Sequence, residues 1–237
     1  MLFTLRVSLP DQPGALGALA GSLGRGGANI VSLEVVERSG GLAVDELTLE
    51  APSGLQEAIK AAKADVPRLL VEDVRPADMF LNLLSPLELA AVLVDGPAEK
   101  VMSTLVDNLA GAVWADWVAI VEGPDTPRVL KRSAGSPTFE GFAAPWMPLD
   151  EPLRLSAGDW MPSAWTRHLT VTPERKPEVA VAPLSADCAL MAGRDKGPRF
   201  RAAELEELSS LAQIAVHLAG TRTRPRETVD HGGSAAD

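Results

Sequence analysis

From Phe3 to Leu9 the chain alternates, with Phe3, Leu5, Val7 and Leu9 apolar and Thr4, Arg6 and Ser8 polar between them. A period of two predicts a strand with one buried and one solvated face. Pro10 donates no ladder hydrogen bond and ends it, and Asp11 is placed to cap a helix whose first turn accommodates Pro13. Ala15, Leu16, Leu19, Ala20 and Leu23 recur at helical spacing, Gly17, Gly21 and Gly24 are expected to permit close packing on a sheet, and Gly26-Gly27 stops the helix. Alternation returns from Asn29 to Glu37 through Val31, Leu33 and Val35. After the Ser39-Gly40-Gly41 turn, a further strand ending Leu47-Thr48-Leu49 completes a hairpin. Ser53 and Gln56 form a capping-box pattern ahead of Leu55, Ala58, Ile59 and Ala62, and a last strand runs through Leu69, Leu70, Val71 and Val74. The predicted order is βαββαβ, a ferredoxin-like sandwich with both helices on one sheet face.

The pattern then changes. Residues 77–97 read as a linker in which Pro86 to Val94 suit a short helix, broken by Gly96-Pro97. Beyond Ala98, Val101, Leu105, Leu109 and Val113 recur every four positions, an amphipathic helix expected to pack on a sheet. Trp117 to Val121 and Arg128 to Ser133 suit strands, Glu178 to Pro183 and Cys188 to Gly193 a hairpin. Leu205, Leu208, Leu211, Ala212, Ala215 and Leu218 mark a C-terminal helix with Glu204, Glu206 and Glu207 in its first turns. The overall class is α+β: a first domain over 1–76, a second α/β sandwich with an antiparallel sheet over 98–220, and a disordered tail over 221–237 that contains Arg222, Arg224 and Arg226.

A net charge of −10 opposes binding of a polyanion, so no nucleic-acid partner is expected. No stretch approaches about 18 unbroken apolar residues and no signal-peptide pattern opens the chain, so no membrane partner is expected. The single cysteine, Cys188, gives neither a disulfide nor a metal pair, which suits the cytoplasm. His168, His217 and His231 are scattered, so no metal and no cofactor is expected. Gly24-Arg25-Gly26 follows a helix and lacks the third glycine of a dinucleotide fingerprint, and neither a nucleophile elbow nor a Walker lysine is present. These absences lead to the expectation that the chain is not an enzyme.

Two runs carry a family resemblance: Leu9-Pro10-Asp11-Gln12-Pro13-Gly14-Ala15-Leu16, then Gly26-Gly27-Ala28-Asn29-Ile30. With the element order, they make residues 3–76 resemble an ACT domain. The resemblance implies a homodimer joined sheet to sheet, with a small ligand, most often an amino acid, at the interface. The candidate ligand-binding residues are Asp11, Gln12, Pro13, Gly14, Ala15, Leu16, Asn29 and Ile30. A helix N-terminus suits a carboxylate, a missing side chain at Gly14 admits the ligand, and Asp11 and Asn29 are able to hold a zwitterion between them. The alternative for the same residues is local: an N-cap, turn formers and a strand start.

Ala189-Leu190-Met191-Ala192-Gly193-Arg194, with Phe200 and the helix that follows, resembles the closing strand and helix of a GAF domain over 98–220. Arg201 stands where a capping Ser or Thr is usual, and the Asn-Lys-Phe-Asp-Glu signature of cyclic-nucleotide binders is absent. Phe142, Trp146, Trp160 and Trp165 fall in one Pro-rich stretch, either as walls of a second small-molecule pocket or as a plug holding an irregular loop to the core. The functional expectation is a regulator that senses an amino acid at the first domain. Two alternatives are a GAF-like sensor of a nucleotide or metabolite dimerised by the first domain, and an accessory regulatory subunit of an amino-acid-metabolism enzyme. A partner enzyme or signalling protein is expected in either setting.

Overall fold

The structure, a computed structural model, describes residues 1–52, 54–77, 84–156, 161–162, 165, 177–195 and 198–221. It is a mixed α+β protein built on two antiparallel sheets. In the first half, β1 (Leu2–Pro10), α1 (Ala15–Arg25), β2 (Asn29–Ser39), β3 (Leu42–Glu50), α2 (Gln56–Asp65) and β4 (Leu70–Pro76) follow one another, and the sheet order is β2-β3-β1-β4. Leu5, Val7 and Leu9 of β1 and Leu47 and Leu49 of β3 meet Leu19 and Leu23 of α1 and Ala58 and Ala62 of α2 in one core. The helices therefore share one face of the sheet, as their apolar stripes require.

Three local expectations are corrected. Asp11 does not cap α1. Gly14 is the N-cap, with φ 90 and ψ −16 and no side-chain capping bond. Pro13-Gly14 prefers a type II turn, whose third residue needs positive φ, and the Ala15 amide closes that turn on the Gln12 carbonyl at 3.2 Å. Gly17 and Gly24 face open space instead of the sheet. The close approach falls at Gly26, where a Cβ would lie 2.3 Å from Ala58 Cα of α2. Finally, the polar face of β1 is not solvated: Thr4, Arg6 and Ser8 are all buried. At α2, Leu55 holds the N-cap position without a side-chain capping bond, and Ser53 lies outside the described residues.

In the second half, α3 (Pro86–Asp95) opens with a full capping box, Ser85 and Glu88 each accepting from the other's backbone N–H. Its Leu89 and Leu93 lie in the second core, so the stretch read as a linker supplies core side chains. A 3-10 turn (Ala98–Lys100) leads into α4 (Val101–Ala112). The strands β5 (Trp117–Glu122), β6 (Arg128–Arg132), β7 (Leu153–Ser156), β8 (Glu178–Ser185) and β9 (Cys188–Arg194) pair in the order β6-β5-β9-β8-β7, and α5 (Ala202–Thr221) closes the unit. The short edge strand β7 falls in the stretch that reads as irregular from sequence. The sheet is covered on both faces, by α3, α4 and α5 on one and by an aromatic layer on the other. Strands buried on both faces read as unbroken apolar runs, which is how β5 and β9 appear in the sequence. Residues 222–237, including the Arg222, Arg224 and Arg226 cluster read as tail, lie outside the described residues.

Candidate functional site

The corner between β1 and α1 is held by backbone hydrogen bonds. The Asp11 amide donates to the Gly41 carbonyl at 3.0 Å and the Gln12 amide to the Pro10 carbonyl at 2.9 Å. This leaves Asp11, Gln12, Pro13 and Gly14 exposed, Leu16 half-buried and Ala15 buried against the core. No atom lies within 4 Å of where a Gly14 Cβ would stand, so this corner is open. The first-turn amides of Leu16 and Gly17 have no intrahelical acceptor, as at any helix start.

Behind the corner sits an acid the sequence did not single out. Asp45 of β3 is 3% exposed and shares the neighbourhood of Asp11 and of Arg38 on β2. Burial pushes its pKa up, Arg38 opposes that, and Asp11 adds to it. Arg38 Nε lies 3.9 Å from the Asp11 carboxylate, an exposed and loose pair. Asp11 at the corner is thus linked to Arg38 by this loose pair and lies within electrostatic reach of buried Asp45.

Asn29 and Ile30 do not join this corner. Asn29 pairs with Glu50 and Pro10 with Leu42, at opposite ends of β3, so the two are separated by about 26 Å of strand. The expected clamp of one zwitterion between Asp11 and Asn29 of a single chain is therefore ruled out by the register, because β1 and β2 run parallel on either side of β3. What lies between them is the free edge of β2. Val31, Leu33 and Val35 on this eleven-residue strand are 57%, 38% and 40% exposed. A long apolar edge offers unpaired N–H and C=O groups to another strand.

The sheet face away from α1 and α2 meets the second half through charge. Arg6 donates to Glu46 at 2.7 Å and, across the junction, to Glu204 of α5 at 3.1 Å. Glu204 Oε1 also accepts from Arg194 at 2.7 Å, and its Oε2 accepts the Arg201 backbone N–H at 2.7 Å. This last bond does the capping that a Ser or Thr at 201 would have shared. Arg194 is fully buried, and each guanidinium nitrogen donates, to the carbonyls of Trp114, Pro198, Arg199 and Val113 and to Glu204. Burial pushes the Glu204 pKa up, but Arg194 and Arg6 bring it below the ordinary value. The Arg201 side chain bridges Glu37 of β2 and Glu72 of β4, strands at the two edges of the first sheet. Trp114, just past the end of α4 at φ 56, has Arg6 and Arg75 over its ring at 5.9 and 5.6 Å. Left-handed backbone is unusual for a large side chain and is held here by packing.

This junction was not legible in the sequence, since Arg6 reads as a solvated strand position and Arg194 as the polar end of an apolar run. The one available signal was Glu204 three residues after the helix boundary, the spacing of a capping carboxylate.

The second candidate pocket resolves into side chains packed on one another. Phe142 and Trp165 stack at 5.6 Å and 15°, Phe139 meets both edge-on, and Trp117 of β5 closes on Trp165 at 5.2 Å. Trp146 tilts onto Phe142 at 6.4 Å. Among these residues the arrangement is that of a plug; Trp160 lies outside the described residues, as do His168 and His231.

No family model and no curated protein matches the sequence. Among solved structures, the chain is similar to GqqA, a novel type of quorum-quenching acylase, at 25% identity over 32% of this chain, with a TM-score of 0.26. It spans 29% of the length of that chain. It is similar to a GAF domain from Pseudomonas syringae pv. tomato at 17% identity, covering 61% of this chain and 88% of that one, with a TM-score of 0.41. A third likeness, to an unknown protein from Galdieria sulphuraria, has 15% identity, covers 92% and 93% of the two chains, and has a TM-score of 0.30. Among the described residues no helix is long and apolar enough to cross a membrane.

Proposed function

We propose that this chain is a non-enzymatic regulator in which an ACT-like first unit binds an amino acid and a GAF-like second unit passes the change to a partner protein. The observation that supports it best is the open corner at Gly14, where nothing stands within 4 Å of the missing Cβ and where Asp11, loosely paired with Arg38 and within electrostatic reach of Asp45, is exposed. The amides of the first turn of α1 suit a carboxylate. The two Asp carboxyl groups suit an ammonium, and the binding of a cation there lowers the cost of ionising buried Asp45. The βαββαβ order and the four-stranded antiparallel sheet accord with the ferredoxin-like reading.

The free edge of β2 supports a homodimer. Antiparallel pairing of two β2 strands covers Val31, Leu33 and Val35, and carries Asn29 of a second copy toward the Arg38 end of the first. In that arrangement Asn29 and Asp11 serve one ligand from two chains, which a single chain does not permit. Glu37 of the same edge strand is bound to Arg201 at the start of α5, so a ligand that favours one arrangement of β2 also biases α5. Differential affinity for the two arrangements is the whole of the regulatory effect.

Thermal-shift and calorimetric screening against the common amino acids, with sedimentation equilibrium on the same samples, tests this reading. One or a few amino acids are expected to raise the Tm and the dimer fraction together. No response to any of them at millimolar concentration would overturn it.

A further inference from the structure

A pocket of about 370 Å³ opens on the helix-covered face of the second sheet, away from both the Gly14 corner and the aromatic layer. Met102 of α4, Ile120 of β5, Leu184 of β8, and Val216 and Ala219 of α5 line it. The volume lies in the range of small-molecule sites, which combine an apolar lining with a few polar groups. Lys131, Ser185 and Cys188 are the polar residues of the lining.

The mouth is shaped by a bulge. β6 pairs Lys131 with Ile120 and Val129 with Val121, which leaves Leu130 as an extra residue in the strand. A bulge turns side chains out of strict alternation, so the consecutive Leu130 and Lys131 both face this pocket. Among the described residues no carboxylate pairs with Lys131, whereas the nearby Glu122 is engaged by Arg128 at 2.6 Å. The pocket is therefore an apolar chamber whose wall includes a lysine with no carboxylate partner among the described residues.

We propose that this pocket binds a medium-chain alkyl monocarboxylate, its chain among Met102, Ile120 and Val216 and its carboxylate on Lys131. The apolar lining takes a hydrocarbon chain at a gain that grows with each methylene buried. The ammonium selects an anionic head over a neutral or cationic one of equal length. This site is independent of the amino-acid corner, so either reading stands if the other fails.

Cys188 is the only cysteine of the chain and lies in the pocket wall, so it reports occupancy. Calorimetry with decanoate, below its micelle concentration, measures binding, and the rate of Cys188 alkylation by a maleimide locates it. With decanoate at ten times its Kd, alkylation is expected to slow about tenfold, following the free fraction. Decanol is expected to protect less and decylamine least. Lys131→Glu, a change at an exposed strand position, is expected to reverse the order of decanoate and decylamine. Ala219→Trp, which fills the pocket, is expected to abolish decanoate binding. Absence of calorimetric binding overturns the proposal, as does equal protection by all three ligands. Slowing of alkylation by higher protein concentration alone overturns it too, since a second copy would then cover the pocket.

Discussion

Arg6 on the first strand and Glu204 in the last helix, 198 residues apart in sequence, share a buried ion pair at 3.1 Å. Among the described residues Glu204 is the carboxylate that serves both Arg6 and Arg194, so it joins a side chain of the first sheet to one of the second. Polar contact at this junction is costly unless complete; Arg194 has a partner at every nitrogen, whereas Arg201 Nε is buried without one.

Removing Glu204 leaves Arg194 and Arg6 buried without their shared counter-charge. Glu204→Gln is expected to destabilise the protein by about 3 kcal/mol, read by urea unfolding. A loss below about 1 kcal/mol would contradict the assigned role.

The same group sets an acid limit. The folded pKa of Glu204 lies below its ordinary value, so its stabilisation is complete above the unfolded carboxylate pKa, about 4.3, and is lost as pH falls through the folded value. Asp45 acts in the opposite sense. Its raised folded pKa makes it a cost that appears as pH rises from the unfolded value through the folded one. Asp45→Asn is therefore expected to raise the urea midpoint at pH 7 and leave it little changed at pH 3. In Glu204→Gln the drop in stability between pH 6 and pH 3 is expected to shrink.

Trp114 sits between guanidinium groups of the first unit while belonging to the second. A double-mutant cycle of Arg6→Met and Trp114→Phe is expected to show little coupling, since a ring remains. With Trp114→Ala, coupling of about 1 kcal/mol is expected. Additive effects in the second cycle would show that the ring and the cation do not interact.

The glycines of α1 separate into two kinds. Gly24→Ala, facing open space within the helix, is expected to stabilise by about 0.5 to 1 kcal/mol. Gly26→Ala, driven onto Ala58 of α2, is expected to cost about 2 kcal/mol or more. Thermal midpoints moving in the same direction for both would contradict the packing of α1 on α2.

Much of the fold was legible because strand and helix periods are local. β1, α1 and the β2–β3 hairpin follow from the positions of apolar residues and of Pro and Gly. What was hidden is what depends on distant partners. β7 is four residues long at an edge and carries little pattern. The burial of Arg6 depends on α5, nearly the whole chain away. Asp45 lies on the helix-facing side of β3, opposite Val7, and its burial follows from the register. The Gly14 corner was legible in Pro13-Gly14, though its turn type displaces the cap from Asp11. That Asn29 belongs to the other end of the sheet follows only from strand order, which periodicity does not contain.

All five tryptophans lie beyond residue 113, outside the first unit, and among the described residues Trp114 is the one held by arginines of the first sheet. Tryptophan emission during an amino-acid titration therefore tests most directly whether the corner and the second unit are coupled. The account predicts a saturable change in emission for the amino acid that binds, lost in Trp114→Phe although calorimetric binding persists, and lost together with binding in Gly14→Val. Calorimetric binding to the unaltered chain with no change in emission would contradict the coupling, and no binding of any amino acid would contradict the sensing itself.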